Sequence, residues 1–341
     1  GGLQLGGVIS PSIGNLSFLI SLNLSDNSFG GTIPEEVGKF FRLEHLNMSF
    51  NVLKGGIPVG LFNCSRLLAL DLFSNHLEQG VPSELGLLTT LVDLDLGQNN
   101  LKGKVPNSVG NLTSLNKLSF GENNLEGGIP DSIARLTQMV VLDITANNFS
   151  GVFPPAIYNL SSLEYFSIFG NGFFGSLRPD FGDLLPNLQV LDMGDNSLTG
   201  SIPTTLTNIS TLQKFGMEYN SLTGSIPPSF GKVENLRLLA LMGNYLGSNS
   251  SGDLDFLTSL TNCTQLKALS VANNTLGGDL PTSITNLSRN LVGLNLEINF
   301  ISGNIPHDIG NLRSLQFFQL GNNLLTGPLP SSFGKLSGLG S

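Results

Sequence analysis

An asparagine recurs at a spacing of about 24 residues along this chain, always behind the same apolar pattern. Asn27, Asn51, Asn75, Asn99, Asn123, Asn147, Asn171, Asn196, Asn220, Asn244, Asn274, Asn299 and Asn323 each follow an apolar-x-apolar-x-x run, as in Leu22, Leu24, Asn27 and Leu94, Leu96, Asn99. Apolar residues two apart share one face of a strand, because side chains alternate across it. A unit this short cannot bury its apolar face alone, so neighbours must stack and bury it jointly. In Leu70-Asp71-Leu72-Phe73-Ser74-Asn75 the leucines point inward, and Ala69, Asp71, Phe73 and Ser74 stay outside. The asparagine turns inward where the strand ends. Its amide both donates and accepts, so it can satisfy backbone groups of the flanking coils that would otherwise be buried unpaired.

The unit resembles the leucine-rich repeat, and its continuation Leu-x-Gly-x-Ile-Pro, as in Leu198-Thr199-Gly200-Ser201-Ile202-Pro203, resembles the plant-specific class. That resemblance implies a second, shorter strand on one flank and a superhelical twist. Glycine allows the tight bend, and proline suits a strand edge that needs no N–H. The later Asn-Leu-x-x-Leu stretch, such as Asn111 to Leu115, reads as a return along the convex side in short helical turns. The expected fold class is an α/β repeat solenoid, a plant-type leucine-rich-repeat superhelix with a parallel concave β-sheet.

Length alone would suggest two domains for 341 residues, but stacked repeats form one elongated body. Residues 1–341 are therefore read as a single solenoid fragment. Thirteen strands at the usual spacing give a ladder on the order of 60 Å long. Leu5 to Pro11 looks like the tail of a repeat, and Phe333 to Leu336 begins another, so capping units are expected outside the chain. One interval is long: Asn244 to Asn274 holds extra residues, and 247–260 reads as a lengthened return loop, flexible at its Ser/Asn/Gly-rich start. A net charge of −9 argues against nucleic acid, which wants a basic face. No apolar run approaches the ~20 residues needed to span a bilayer, so no membrane contact is expected of this fragment.

Cys64 and Cys263 occupy the same slot in repeats eight apart, which puts them roughly 40 Å from each other at the strand spacing. A disulfide needs Cα atoms within about 7 Å. Both are read as small buried core residues. The compartment is read from Asn-x-Ser/Thr sequons instead. Asn15, Asn63, Asn111, Asn159, Asn208, Asn262 and Asn286 fall in the repeating Asn-x-Ser/Thr-x-Leu slot, and Asn249 lies in the long loop. These are the expected glycosylation sites on convex and lateral surfaces, pointing to a secretory-pathway protein. Asn23 and Asn47 are also sequons but sit between core leucines, so they project from the concave sheet.

Catalytic patterns do not survive inspection. Gly170-Asn171-Gly172-Phe173-Phe174-Gly175 matches G-x-G-x-x-G but straddles the asparagine ladder and opens no helix. Gly327 to Lys335 spaces its glycines wrongly for a phosphate loop, and Leu336 stands where Ser or Thr belongs. His45, His76 and His307 lie far apart in the ladder. No enzyme activity, metal or cofactor is expected of this chain.

A sharper resemblance comes from Asn249-Ser250-Ser251 with Leu254 and Phe256 ahead of Asn262-Cys263-Thr264-Gln265-Leu266, from Ile305-Pro306-His307-Asp308-Ile309-Gly310-Asn311-Leu312, and from Ile9 to Leu19 and Ala134 to Val140. These segments resemble the ectodomains of plant immune receptor kinases of the elongation factor Tu receptor group. The resemblance implies a single-pass receptor with a cytoplasmic Ser/Thr kinase, whose repeats face outward from the plasma membrane. It implies a microbial peptide ligand and a co-receptor leucine-rich-repeat kinase as partners. Secreted inhibitors of microbial wall-degrading enzymes resemble the same repeat with an acidic concave face, but carry fewer units than this ladder. Peptide-hormone receptors resemble one another in an Arg-x-Arg pair, and the equivalent slots here hold Lys214 with Gly216 and Lys117 with Ser119.

The exposed strand positions name the expected ligand-binding residues. Asp71, Asp93, Asp95, Asp143 and Asp192 form an acidic row, suited to steer a basic extended peptide. Phe73, Tyr165, Phe169, Val190, Tyr219, Leu238 and Met242 supply large groups beside it, with Lys214 and Glu218 among them. Aromatic anchors beside fixed charge are what an interface hot spot requires. Ser21, Ser25, His45 and Ser49 of the early repeats read as minor contributors.

Overall fold

Most repeats contribute a three-residue strand whose middle side chain is buried and whose outer two lie on the open face of the sheet. The computed structural model of the chain describes residues 2–340, and these divide into two compact units, Gly1–Phe173 and Phe174–Ser341. In the first unit the strands Ser21–Asn23, His45–Asn47, Ala69–Asp71, Asp93–Asp95, Lys117–Ser119, Val141–Asp143 and Tyr165–Ser167 form a parallel ladder in chain order. In the second unit Val190–Asp192, Lys214–Gly216, Leu238–Ala240, Ala268–Ser270, Gly293–Asn295 and Phe317–Gln319 do the same. The register never slips: Leu46, Leu70, Leu94 and Leu118 pair centre to centre, each no more than 1% exposed. A one-residue slip would turn every leucine outward, so burial fixes the register.

The Leu-x-Gly segment forms the short flank strands that the sequence implied. Lys102–Gly103, Asn124–Gly127 and Asn148–Val152 pair in parallel in the first unit, and Ser197–Gly200, Ser221–Gly224 and Tyr245–Leu246 in the second. The return is almost always a five-residue 3-10 turn, such as Asn107–Asn111, with proline at the position just before it. Proline already holds the required φ and has no N–H to leave unsatisfied there. Among the described residues a short α-helix replaces the turn at Phe181–Leu184, and another, Asp255–Ser259, precedes the short 3-10 turn Leu260–Asn262. None of their helices is long and apolar enough to cross a membrane.

The ladder asparagines work as their chemistry dictates. Asn99 Oδ1 accepts from Leu77 N–H at 2.9 Å, while its Nδ2 donates to Leu72, Leu96 and Gly97 carbonyls at 3.0, 3.2 and 3.0 Å. One amide thus ties its own turn to the coil before it. Asn75, Asn123, Asn147, Asn220, Asn244, Asn274 and Asn299 repeat the arrangement, each less than a tenth exposed. The residue just before each ladder asparagine has positive φ, including Phe50 (52°), Tyr219 (52°) and Ile298 (54°). That conformation costs a side-chain-bearing residue roughly 1–2 kcal/mol. It persists because it is what aims the amide inward.

The lengthened interval is tied down, contrary to the looseness its composition suggested. Asp253, 7% exposed, accepts through one carboxylate oxygen from the N–H groups of Ser248, Ser250 and Gly277 at 2.9, 3.0 and 3.0 Å. Its other oxygen accepts from the Ser250 hydroxyl at 2.9 Å. Burial would raise its pKa, but these donors outweigh it and hold the carboxyl below the usual range.

Cys64 and Cys263 are unpaired and buried, each with its thiol near backbone carbonyls: Val37 for Cys64, Phe230 and Val233 for Cys263. Burial pushes both thiols up to about 11, and a protonated, covered thiol is a poor nucleophile. Native protein should therefore resist a maleimide at neutral pH, and denatured protein should take up two labels per chain. Rapid native labelling at either position would show that the stack is not closed there.

Candidate functional site

Three rows of side chains run across the open sheet face, set by the strand positions either side of each buried leucine and the position beyond. In the first unit the leading row reads Ser21, His45, Ala69, Asp93, Lys117, Val141, Tyr165, and the second reads Asn23, Asn47, Asp71, Asp95, Ser119, Asp143, Ser167. Phe73 and Phe169 follow one alternation later. In the second unit the leading row begins Val190, Lys214, Leu238 and the second begins Asp192, Gly216, Ala240. Glu218 and Met242 lie in the third row there. All these candidate residues are half-buried or exposed except the small Ser119, Ser167, Gly216 and Ala240. Tyr219 differs in placement. It lies past the strand in the left-handed turn, 51% exposed, against Gly243.

The second-row carboxylates have a structural duty that the sequence did not reveal. Asp71, Asp95 and Asp143 each accept through Oδ1 from the N–H two residues on, at 3.1, 3.1 and 3.0 Å, and Asn23 and Asn47 use the same bond at 2.9 Å. Such a side chain closes its own strand end, which leaves each carboxylate one oxygen for other partners, and Asp71 Oδ2 accepts from Asn47 Nδ2 at 2.9 Å. The acidity is also partly answered: Lys117 Nζ meets Asp95 Oδ2 at 2.9 Å. Burial disfavours the Lys117 charge, but Asp95, with Asp71 and Asp93 nearby, outweighs it and holds the ammonium above its usual range. Asp71 is pushed upward, mainly by burial, with Asp95 adding to the shift.

A groove of about 430 Å³ opens on this face, lined by Ser21, Asn23, His45, Asn47, Asp71, Asp93, Asp95 and Lys117. It brings together the acidic residues expected of a ligand site and the early polar residues read as minor. Lys117 was missed as a site residue. Aligning repeats would have found it, because it stands one strand beyond Asp93 in the same row. Phe73 belongs to the rim, where its ring meets exposed Phe50 edge-on at 5.3 Å.

In the second unit the Glu218 carboxyl sits partly buried near Asp192. Burial first, and then the Asp192 charge, raise its pKa. Its Oε2 is buried without a hydrogen-bond partner, as is the Ser270 hydroxyl in that unit's second row. Buried oxygens left unanswered are places where an incoming donor gains most.

Relatives bear out the repeat reading and its kind of molecule. Over 145 residues, 42% of this chain and 14% of the relative, the sequence is 66% identical to the LRR receptor-like serine/threonine-protein kinase EFR of Arabidopsis thaliana. The solved plant peptide hormone receptor RGFR1, in complex with RGF2, superposes over 98% of this chain and 52% of its own, with a TM-score of 0.89 at 33% identity. The Arabidopsis receptor kinase HAESA, solved with the peptide hormone IDA and the co-receptor SERK1, matches 98% of this chain and 71% of its own at a TM-score of 0.53 and 25% identity. The chain spans about a seventh of the length of the curated relative. Segments 18–40, 42–64, 90–112, 114–136, 187–209, 211–233, 265–287 and 314–336 match the Leucine Rich Repeat model. Together they make up just over half of the chain, which therefore belongs to the leucine-rich-repeat family.

Proposed function

We propose that this chain is part of the extracellular ligand-binding region of a plant pattern-recognition receptor kinase. It takes an extended microbial peptide on the open sheet face and pairs with a co-receptor leucine-rich-repeat kinase. The kinase and a membrane span would belong to a longer protein; the relative this chain resembles is itself a receptor-like serine/threonine-protein kinase. The observation that carries the ligand reading is the first-unit groove, where Asp71, Asp93 and Asp95 outnumber Lys117. Such a surface attracts a basic segment and fixes its register. Tyr165 and Phe169 supply rigid aromatic area that costs little entropy to immobilise. On the second unit, Asp192 and the unanswered Glu218 oxygen suit an ammonium or guanidinium donor, with Leu238 and Met242 as apolar neighbours.

The test begins with a bacterial protein digest passed over the immobilised secreted chain, followed by identification of the retained peptides. For a retained peptide, Tyr165→Ala with Phe169→Ala should weaken binding by about 2 kcal/mol. Asp93→Asn with Asp95→Asn should slow association roughly tenfold at low salt and flatten its salt dependence. No retained peptide, or wild-type binding by both variants, would overturn the reading.

A further inference from the structure

The turn after each strand holds one residue in the left-handed region, and in the first unit that slot reads Asp26, Phe50, Ser74, Gln98, Glu122, Ala146 and Gly170. Small or polar residues fill it everywhere but at Phe50. The left-handed region disfavours bulky side chains most, and Phe50 gains little burial in return, since it is 54% exposed. Ser74 and Ala146 adopt the same φ, at 53° and 50°, so the turn itself needs no ring. Strain kept without a packing return motivates a search for a binding role.

The surroundings of Phe50 define what would bind there. Its N–H donates to Phe73 O at 2.9 Å, and the Phe73 N–H donates in turn to Asp71 Oδ1 at 3.1 Å. Backbone bonds therefore set the two rings edge-on at 5.3 Å and hold them beside the acidic groove. Beyond Phe73 the third row continues with Gly97 and Gly121, which leaves the floor low. A Cβ built at Gly97 would lie 3.1 Å from Phe73 Cδ2, so glycine is what lets that ring lean over the next strand. The rings form a fixed apolar shelf that runs into the carboxylates.

We infer that Phe50 and Phe73 are a subsite for one large apolar side chain of the same peptide whose basic residue meets Asp93 and Asp95. The inference rests on the basic-peptide reading above and narrows it to peptides that pair a cation with a bulky aliphatic or aromatic residue. The middle of the shelf lies about one and a half strand spacings from Asp93 and Asp95, roughly 7 Å. An extended peptide laid along the ladder covers that distance in about two residues, and residues two apart share one face. The expected ligand feature is therefore a lysine or arginine and a bulky apolar residue separated by one position.

The experiment equilibrates the tagged, secreted chain with a bead-bound library of random peptides and reads the sequences it retains. Wild type should enrich lysine or arginine together with a large apolar residue two positions away. Phe50→Asn, a residue that suits the left-handed turn, should lower the apolar enrichment about tenfold and leave the basic enrichment in place. Asp93→Asn with Asp95→Asn should do the reverse. Urea unfolding of Phe50→Asn should give a midpoint no lower than wild type, because asparagine relieves the turn. Basic enrichment with no apolar partner, or an apolar partner that survives Phe50→Asn, would overturn the subsite and leave the basic-peptide reading intact. A midpoint well below wild type would show that the ring serves packing, and would overturn the subsite as well. No basic enrichment at all would sink the reading on which it rests.

Discussion

Asn99→Ala should cost about 3 kcal/mol of stability, because it strands a buried donor as well as removing bonds. The Leu77 N–H points at Asn99 Oδ1 and is enclosed by the stack. Alanine leaves it with no side-chain acceptor. The carbonyls suffer less, since Leu72 O also receives the Asn75 amide. Asn99→Asp should be worse than alanine, as it replaces an NH₂ that serves three carbonyls with an oxygen that repels them. The control is Asn111→Gln, a surface change expected within about 0.5 kcal/mol of wild type. Urea unfolding gives the totals, and hydrogen exchange at Leu77 should report the local opening. If Asn99→Ala unfolds at the same urea concentration as Asn111→Gln, the ladder does not hold the turns, and the cost of the left-handed Gln98 beside it has no compensation.

These two asparagines also show where sequence reading stops. Asn99 was legible because its role is set by period: every repeat needs one amide at the strand end, and the spacing of Leu94 and Leu96 says which. The inner and outer faces were legible for the same reason, so the places of Asp71, Asp93, Asp95, Asp143 and Tyr165 on the open face follow from the repeat pattern. What period cannot supply is what one outer residue does to the next. Asp95 reads as a free charge until its Oδ1 is seen closing on Gly97 and its Oδ2 on Lys117. Glu218 reads as an ordinary surface acid until the Asp192 charge and its own burial are seen acting on it. Such effects depend on side-chain rotamers across neighbouring strands, which leave no periodic trace. The irregular segment 247–260 is hard to read from sequence for a related reason. Serine, asparagine and glycine suggest mobility by composition, and only geometry shows that one carboxylate gathers their N–H groups.

That carboxylate gives the other large effect. Asp253→Ala should destabilise the second unit by about 3 kcal/mol, since bonds to a charged acceptor contribute roughly 1.5–3 kcal/mol each and the Gly277 N–H is buried. Ser248 and Ser250 can turn their N–H groups to water, so their shares are smaller. Asp253→Asn separates charge from connectivity. Its amide oxygen can take the place that receives the three N–H groups, and its NH₂ can donate to the Ser250 hydroxyl, which then reverses its role. The cost should fall to about 1 kcal/mol, and pH then distinguishes the charge. A carboxyl held below its unfolded value, about 3.9, contributes stability that is fully present above that value. It is lost as pH falls through the lower folded value. The gap between wild type and Asp253→Asn should therefore hold steady from neutral pH down to about 5 and close below about 4. Thermal unfolding of the two proteins across that range measures it. A gap that persists unchanged at pH 3 would mean the asparagine variant suffers from lost packing or a broken hydrogen bond, and that the loop is not held by the Asp253 charge.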